Sequence, residues 1–347
     1  MTSFQMSRQP MTVKQMTGQD TPALEVRNLT TTFATGAGAI KPVDDISFSV
    51  MPGEVMGLVG ESGSGKSVTL RSILGLLPRN GASTGQVIWQ GRNLLTLPQR
   101  DLRAVRGGQI SMIFQEPMTA LNPVLPVALQ IDENLAAHTD LTATARHARA
   151  RELLDLVGIP DAARRLGEYP HQFSGGMRQR VMIAIALASN PRLLLADEPT
   201  TALDVTIQDQ ILKLILDLRD ALKMSVVLVT HDLGVVATTC DHMAVMYAGR
   251  IVETGPVNDV FANPQHAYTL GLLGSVPRAG TERSPLTSLE GTPPGLSALP
   301  TGCAFHPRCS FATDPCCITA PVMQPTTPGR AVACFHSDLV AGSGVPA

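Results

Sequence analysis

Between residues 24 and 250, short apolar runs alternate with stretches of helical spacing. Val55-Met56-Gly57-Leu58-Val59, Leu193-Leu194-Leu195-Ala196 and Val226-Val227-Leu228-Val229 are continuous and lack in-out alternation. Such runs suit strands buried on both faces of a parallel sheet. A helix is predicted over Val68–Leu77, soon after the first run. Residues 117–178 read differently. They carry few strand signals, and Leu135 to Leu156 follows a helical pattern, so a helical insertion is expected there. Residues 278–300 are dense in Pro, Gly, Ser and Thr and read as a linker. The first 22 residues are polar, with Met1, Met6, Met11 and Met16 spaced by five. That spacing makes no helical stripe, and the segment has no apolar core of a signal peptide. A disordered leader over 1–22, or a start codon placed too early, is expected. The small, polar residues 337–347 are expected to form a disordered tail. The predicted class is α/β, with a main domain over 23–277 and an extension over 278–336.

A chain of 347 residues has apolar content for more than one core. Its net charge of −2 gives no electrostatic argument for a nucleic-acid partner. No apolar run reaches the ~18 residues needed to span a bilayer. The chain is therefore expected to be soluble, or peripheral to a membrane through other proteins. Six cysteines without an export signal argue against a disulfide scaffold.

Candidate chemistry begins at Gly60-Glu61-Ser62-Gly63-Ser64-Gly65-Lys66-Ser67, which has the spacing of a phosphate-binding P-loop. It follows a predicted strand and opens a predicted helix, as that motif requires. Glycines let backbone N–H groups turn inward around a phosphate, and the helix start adds partial positive charge. Lys66 can reach the β- and γ-phosphates, and the Ser67 hydroxyl can ligate Mg²⁺. Further along lie Phe114-Gln115-Glu116-Pro117, Phe173-Ser174-Gly175-Gly176-Met177-Arg178-Gln179, Leu195-Ala196-Asp197-Glu198-Pro199 and Val229-Thr230-His231-Asp232. The last two end apolar strands, where ligands bind in open α/β sheets. The helix opened at Ser174 is expected to run to about Ala188.

In this order the motifs resemble the ATP-binding subunit of ABC transporters. The resemblance implies a mixed-sheet core with an antiparallel β part, a helical insertion and a small Cys-rich C-terminal extension. It implies ATP contacts from Gly60, Glu61, Ser62, Gly63, Ser64, Gly65, Lys66, Ser67 and Val68. It gives Mg²⁺ to Ser67, Gln115 and Asp197, and catalysis to Glu198, His231, Gln115 and Lys66. Adjacent strand residues point to opposite faces, so Asp197 and Glu198 can do different jobs. Ser174, Gly175 and Gly176 resemble the signature that meets ATP bound to an opposite subunit, and Ser174 is also a good helix N-cap. Met177 stands where many members carry Gln. Thr201-Ala202-Leu203-Asp204 resembles the loop at the dimer seam, with Asp204 contributing in trans. Phe33 is either the aromatic that stacks on adenine or a core packing residue.

Five of the six cysteines follow residue 302. Cys303, Cys309, Cys316 and Cys334 are separated by five, six and seventeen residues, and Cys317 adjoins the third. The close Cys pairs of structural zinc sites are missing. An iron–sulfur cluster suits the spacing better; zinc, reduced thiols and a disulfide stay open, as does Cys317 in place of Cys316. Cys240 reads as a small packing residue. Gly302-Cys303-Ala304-Phe305-His306-Pro307-Arg308-Cys309 resembles the extension of dipeptide and oligopeptide importer ATPases, some of which hold a [4Fe–4S] cluster. His266-Ala267-Tyr268-Thr269 departs from their usual His-Pro-Tyr-Thr.

The resemblance implies an energy-coupling ATPase of a peptide importer at the cytoplasmic face of the cell membrane. A second ATPase subunit (a heterodimer is expected), two transmembrane permeases and an extracytoplasmic substrate-binding protein are the implied partners. Close relatives carry nickel chelates or small glycans. Other readings are a soluble ABC protein of translation or DNA repair, and a non-catalytic subunit. The single P-loop and short insertion oppose the first; intact Lys66, Asp197, Glu198 and His231 oppose the second. The cysteine module is expected to lie beyond every phosphate-handling residue.

Overall fold

A computed structural model describes residues 21–36, 38–201, 203–275 and 289–344. Residues 1–20 of the expected leader, 278–288 of the expected linker and 345–347 of the expected tail lie outside these. β1 (Leu24–Thr35) and β2 (Gly38–Val50) pair antiparallel, and β3 (Val55–Val59) leads into α1 (Lys66–Ile73). β4 (Gly81–Trp89), β5 (Arg92–Asn93), α2 (Gln99–Val105) and β6 (Ile110–Ile113) follow. The insertion holds α3 (Pro117–Ala120), α4 (Val127–His138), α5 (Ala143–Leu156), α6 (Ala162–Arg165) and α7 (Gly175–Leu187). The chain returns through β7 (Leu193–Asp197), α8 (Val205–Leu222), β8 (Ser225–Thr230), α9 (Leu233–Thr239), β9 (His242–Tyr247) and β10 (Arg250–Pro256). α10 (Val257–Ala262), α11 (Ala267–Gly274), α12 (Asp314–Ile318), β11 (Gln324–Thr327), β12 (Arg330–Val332) and α13 (Ser337–Ser343) complete it.

The described residues form two sheets. One is antiparallel, in the order β2-β1-β4-β5; the other runs β11-β12-β10-β9-β3-β8-β7-β6. In the larger sheet β9, β3, β8, β7 and β6 are parallel, so their C-terminal ends share one edge. The three apolar runs of the sequence are β3, β7 and β8, and every residue in them is buried. Leu58, Leu70 and Val229 pack under the antiparallel sheet with Leu24 and Leu29. Leu194, Val226 and Leu228 pack with Leu153, Ile183 and Ile215 of the helices. Gly57 leaves room beside Cys240, whose Sγ would lie 3.0 Å from a Cβ there. Burial pushes the Cys240 thiol up to about 12, as a packing residue requires no ionisation.

Several local expectations are corrected. The helix predicted over Val68–Leu77 begins at Lys66 and ends at Ile73. Gly75, at φ +60, donates to Ser72 O at 3.0 Å, and Leu76 donates to Arg71 O at 2.8 Å. This is the left-handed stop that glycine permits. The helical pattern from Leu135 to Leu156 is two helices, because Thr142 caps a new start by accepting from Ala145 N at 3.3 Å. The tail expected to be disordered from 337 is instead α13, since Val340 is fully buried among Tyr268, Phe305 and Leu273.

The extension is also more than a small appendage. β12 pairs antiparallel with β10, matching Glu253 to Val332 and Thr254 to Ala331. At this seam Arg330 Nη2 donates to Glu253 Oε1 at 2.8 Å, with the side chains 5% and 0% exposed. Glu253 also accepts backbone N–H groups of Gln265 and His266, at 2.9 and 3.0 Å. Removing one partner of a buried pair leaves the other charge uncompensated. Arg330→Ala is expected to lower unfolding free energy by about 3 kcal/mol or more, read from urea denaturation.

Candidate nucleotide-binding and catalytic site

Gly60 to Ser67 fill the turn from β3 into α1. Gly65 takes φ +107, and a Cβ there would collide with the Pro42 carbonyl, so the turn admits only glycine. Lys66 is 5% exposed. Its Nζ donates to the carbonyls of Gly60 at 2.6 Å and Glu61 at 2.9 Å, and stands 3.4 Å from Ser64 Oγ. Burial pushes its ammonium down, and the carboxylates of Glu198, Asp197 and Glu61 oppose that shift. Ser67 Oγ donates to Asp197 Oδ1 at 2.7 Å. Burial pushes the Asp197 carboxyl up, against the Ser67 hydrogen bond. Asp197 Oδ2 is buried with no hydrogen-bond partner among the described residues. Val68 follows on the first turn of α1 and is half-buried.

Glu198 follows the end of β7 at φ +45, a left-handed conformation uncommon outside glycine. The turn sends its side chain away from Asp197's partners. Glu198 Oε2 accepts from Gln115 Nε2 at 3.1 Å and from Thr201 Oγ1 at 2.7 Å, and lies 3.4 Å from His231 Nδ1. Gln115 follows β6 and His231 follows β8, so three neighbouring strand ends meet on one carboxylate oxygen. The Glu198 side chain is 13% exposed and that of His231 is 63% exposed. Thr201 was not among the catalytic residues read from the sequence. Its position three residues after Glu198, in a turn, carries no signal of its own.

The remaining expected contacts stand elsewhere. Ser174 caps α7, its Oγ accepting from Met177 N at 3.4 Å, and Ser174 and Gly175 are exposed. A Cβ at Gly176 would lie 2.9 Å from Ile207 Cγ2 of α8. Asp204 caps α8 by accepting from Ile207 N at 2.9 Å. No hydrogen bond among the described residues ties Ser174, Gly175, Gly176 or Asp204 to Lys66, Asp197 or Glu198. Phe33 lies on β1, half-buried between Ile40 of β2 and Gly81 of β4. A Cβ at Gly81 would overlap its ring.

Cys303, Cys309, Cys316 and Cys334 line one small cavity with His266, Phe305 and Pro321. Cys317 is exposed and turns its Sγ toward Thr313 O at 3.8 Å, away from that lining. All six cysteines are free thiols. Burial pushes the Cys303 and Cys334 thiols up, and that of Cys309 up to about 11. No three His, Cys, Asp or Glu among the described residues are gathered as a metal-ion set.

The module lies beyond the P-loop along the chain but packs against it in space. Arg308, beside Cys309, pairs with both carboxylate oxygens of Glu61 in the P-loop, at 2.8 and 3.0 Å. The contact joins positions 247 apart, so no local pattern announces it.

Sheet order, inserted helices and the strand-end cluster define a P-loop ATPase of the ATP-binding cassette class. Comparisons agree. Residues 43–201 match the ABC transporter family, and residues 252–316 match the oligopeptide/dipeptide transporter C-terminal region. The oligopeptide transport ATP-binding protein OppD of Salmonella typhimurium is 49% identical over 312 residues, covering 90% of this chain and 93% of that protein. OppD of Escherichia coli is 48% identical over 312 residues, covering 90% and 92%. The ATP-binding cassette MJ0796, solved as a dimer bound to ADP and Pi, superposes with TM-score 0.61 and 30% identity, over 67% of this chain and 98% of that one. The chain belongs to the ABC transporter ATPases that carry the oligopeptide/dipeptide transporter C-terminal region. No helix among the described residues is long and apolar enough to cross a membrane.

Thr201→Val should lower steady-state phosphate release roughly tenfold, the loss of one hydrogen bond to a charged group, with ATP affinity unchanged. Unchanged turnover would show that Thr201 does not hold Glu198 in its working position.

Proposed function

We propose that this chain binds ATP with Mg²⁺ and hydrolyses it to drive import of di- or oligopeptides. The convergence of Gln115, Thr201 and His231 on one Glu198 oxygen carries the reading. Lys66 would face the β- and γ-phosphates in the P-loop. Ser67 and Asp197 supply oxygen donors 2.7 Å apart, with Asp197 Oδ2 still unpartnered, which suits a hard cation. Gln115 would complete that shell. Magnesium, when bound, would neutralise phosphate charge. Glu198 would orient or deprotonate the attacking water, fixed by its three neighbours. His231 would meet the γ-phosphate. Phe33 would stack on adenine.

Ser174, Gly175, Gly176 and Asp204 would act in trans on ATP held by a second ATPase subunit. The exposure of Ser174, Gly175 and Asp204 and the capped start of α7 support this, because such a helix start binds anions. Peptide cargo rests on the names of the relatives, including a Brucella abortus protein named for peptide import that is 52% identical over 314 residues. Two membrane permeases, a substrate-binding protein and a place at the cytoplasmic face of the membrane come with that assignment.

Glu198→Gln should retain ATP binding and lose hydrolysis by about 10²–10⁴-fold, the worth of a positioned base. Lys66→Ala should weaken binding itself. Near wild-type turnover in Glu198→Gln would sink the assignment.

We further propose that Cys303, Cys309, Cys316 and Cys334 hold a [4Fe–4S] cluster, supported by their shared, sheltered cavity. Such a cluster would cross-link four points of a module with little apolar core of its own. Anaerobically purified protein should contain about four irons per chain and absorb near roughly 400 nm. Cys316→Ser should bleach it, while Cys317→Ser should not. Colourless protein with stoichiometric zinc would replace the cluster by a zinc site.

A further inference from the structure

Glu61, the second residue of the P-loop, is held from two sides by the C-terminal part of the chain. Its backbone N–H donates to the Tyr268 hydroxyl at 2.7 Å. Its carboxylate takes both terminal nitrogens of Arg308. That guanidinium is itself fixed. It lies 5.8 Å from the Tyr247 ring centroid and 5.7 Å from that of Phe305, and its Nε donates to Glu290 O at 2.9 Å. The Arg308 side chain is 6% exposed and that of Glu61 is 27% exposed. Phe305 packs against Tyr247 and Tyr268 with centroids 5.2 and 5.4 Å away, so both holds on Glu61 lean on one aromatic cluster. On the loop side, the Glu61 carbonyl accepts from Lys66 Nζ at 2.9 Å. A displaced Glu61 therefore moves an acceptor that the phosphate-facing lysine uses. The reach of Arg308 is set in turn by the 3₁₀ turn His306–Arg308, which closes between Cys303 and Cys309.

We propose that Arg308 is a positioning residue for ATP binding: through Glu61, the C-terminal extension braces the P-loop of its own chain. The inference rests on the reading of that loop as the ATP site. A bidentate guanidinium–carboxylate pair fixes orientation as well as distance, which a single ammonium cannot do. The brace makes nucleotide affinity depend on the fold of a segment that touches no phosphate.

The test is a double-mutant cycle in the full chain, with ATP affinity read by titration of a fluorescent ATP analogue. Arg308→Ala should weaken binding roughly tenfold. Glu61→Gln should weaken it similarly, although it keeps the side-chain size and leaves the packing of Arg308 intact. The double variant should lose no more than either single one, because both break the same contact. Arg308→Lys should restore part of the affinity. Linkage requires the reciprocal effect. Saturating ATP should slow amide exchange across residues 303–309 in the wild-type chain, but not in Glu61→Gln. Additive losses, or wild-type affinity in both single variants, overturn the proposal while the wild-type chain still binds ATP. A wild-type chain that binds no ATP overturns the ATP-site reading along with it.

Discussion

The site is organised around a lysine that the fold buries. Lys66 keeps only 5% of its surface exposed, at the C-terminal edge of five parallel strands. A desolvated ammonium is costly unless carbonyls and carboxylates surround it. The P-loop supplies the carbonyls of Gly60 and Glu61, and the ends of β3 and β7 bring Asp197, Glu198 and Glu61 near. The same carboxylates that stabilise the lysine would repel any phosphate brought to it. Under the proposed function, a magnesium ion held by the oxygens of Ser67 and Asp197 would offset that repulsion.

The extension shows a second use of buried charge. Arg330 and Glu253 join β12 to β10 across a span with few large apolar side chains. Well-packed hydrophobic residues of similar volume often hold such a seam as well as a buried ion pair does. Arg308 repeats the device where the extension reaches the P-loop. In both places a short, weakly apolar segment gains its position from a planar guanidinium.

Much of this was legible in the sequence, for identifiable reasons. β3, β7 and β8 announced themselves because strands buried on both faces have no polar alternation. Asp197 and Glu198 stood out because an acidic pair ending a continuous apolar strand is seldom a solvated turn, and His231 because it ends the next strand. Gln115 was singled out only by family resemblance, since an exposed glutamine has no signature of its own. What stayed hidden depends on long-range geometry. Thr201 reaches Glu198 through a turn whose shape follows from the left-handed φ of Glu198. β11 and β12 are four and three residues long, too short for a period. Val340 alone, in a small polar tail, decides that residues 337–343 fold.

β10 pairs with β9 on one side, and on the other its partner is β12, about eighty positions later in the chain. During synthesis β3, β6, β7, β8, β9 and β10 are made long before Arg330 leaves the ribosome. Until then β10, which carries Ile251 and Val252, presents an open edge to any other extended chain. The last strand to be made is thus the one that covers β10, and it leaves the four-residue, exposed β11 as the edge of the sheet. A nascent chain therefore carries the whole loop from Gly60 to Ser67, and the strand ends around it, before β10 is covered.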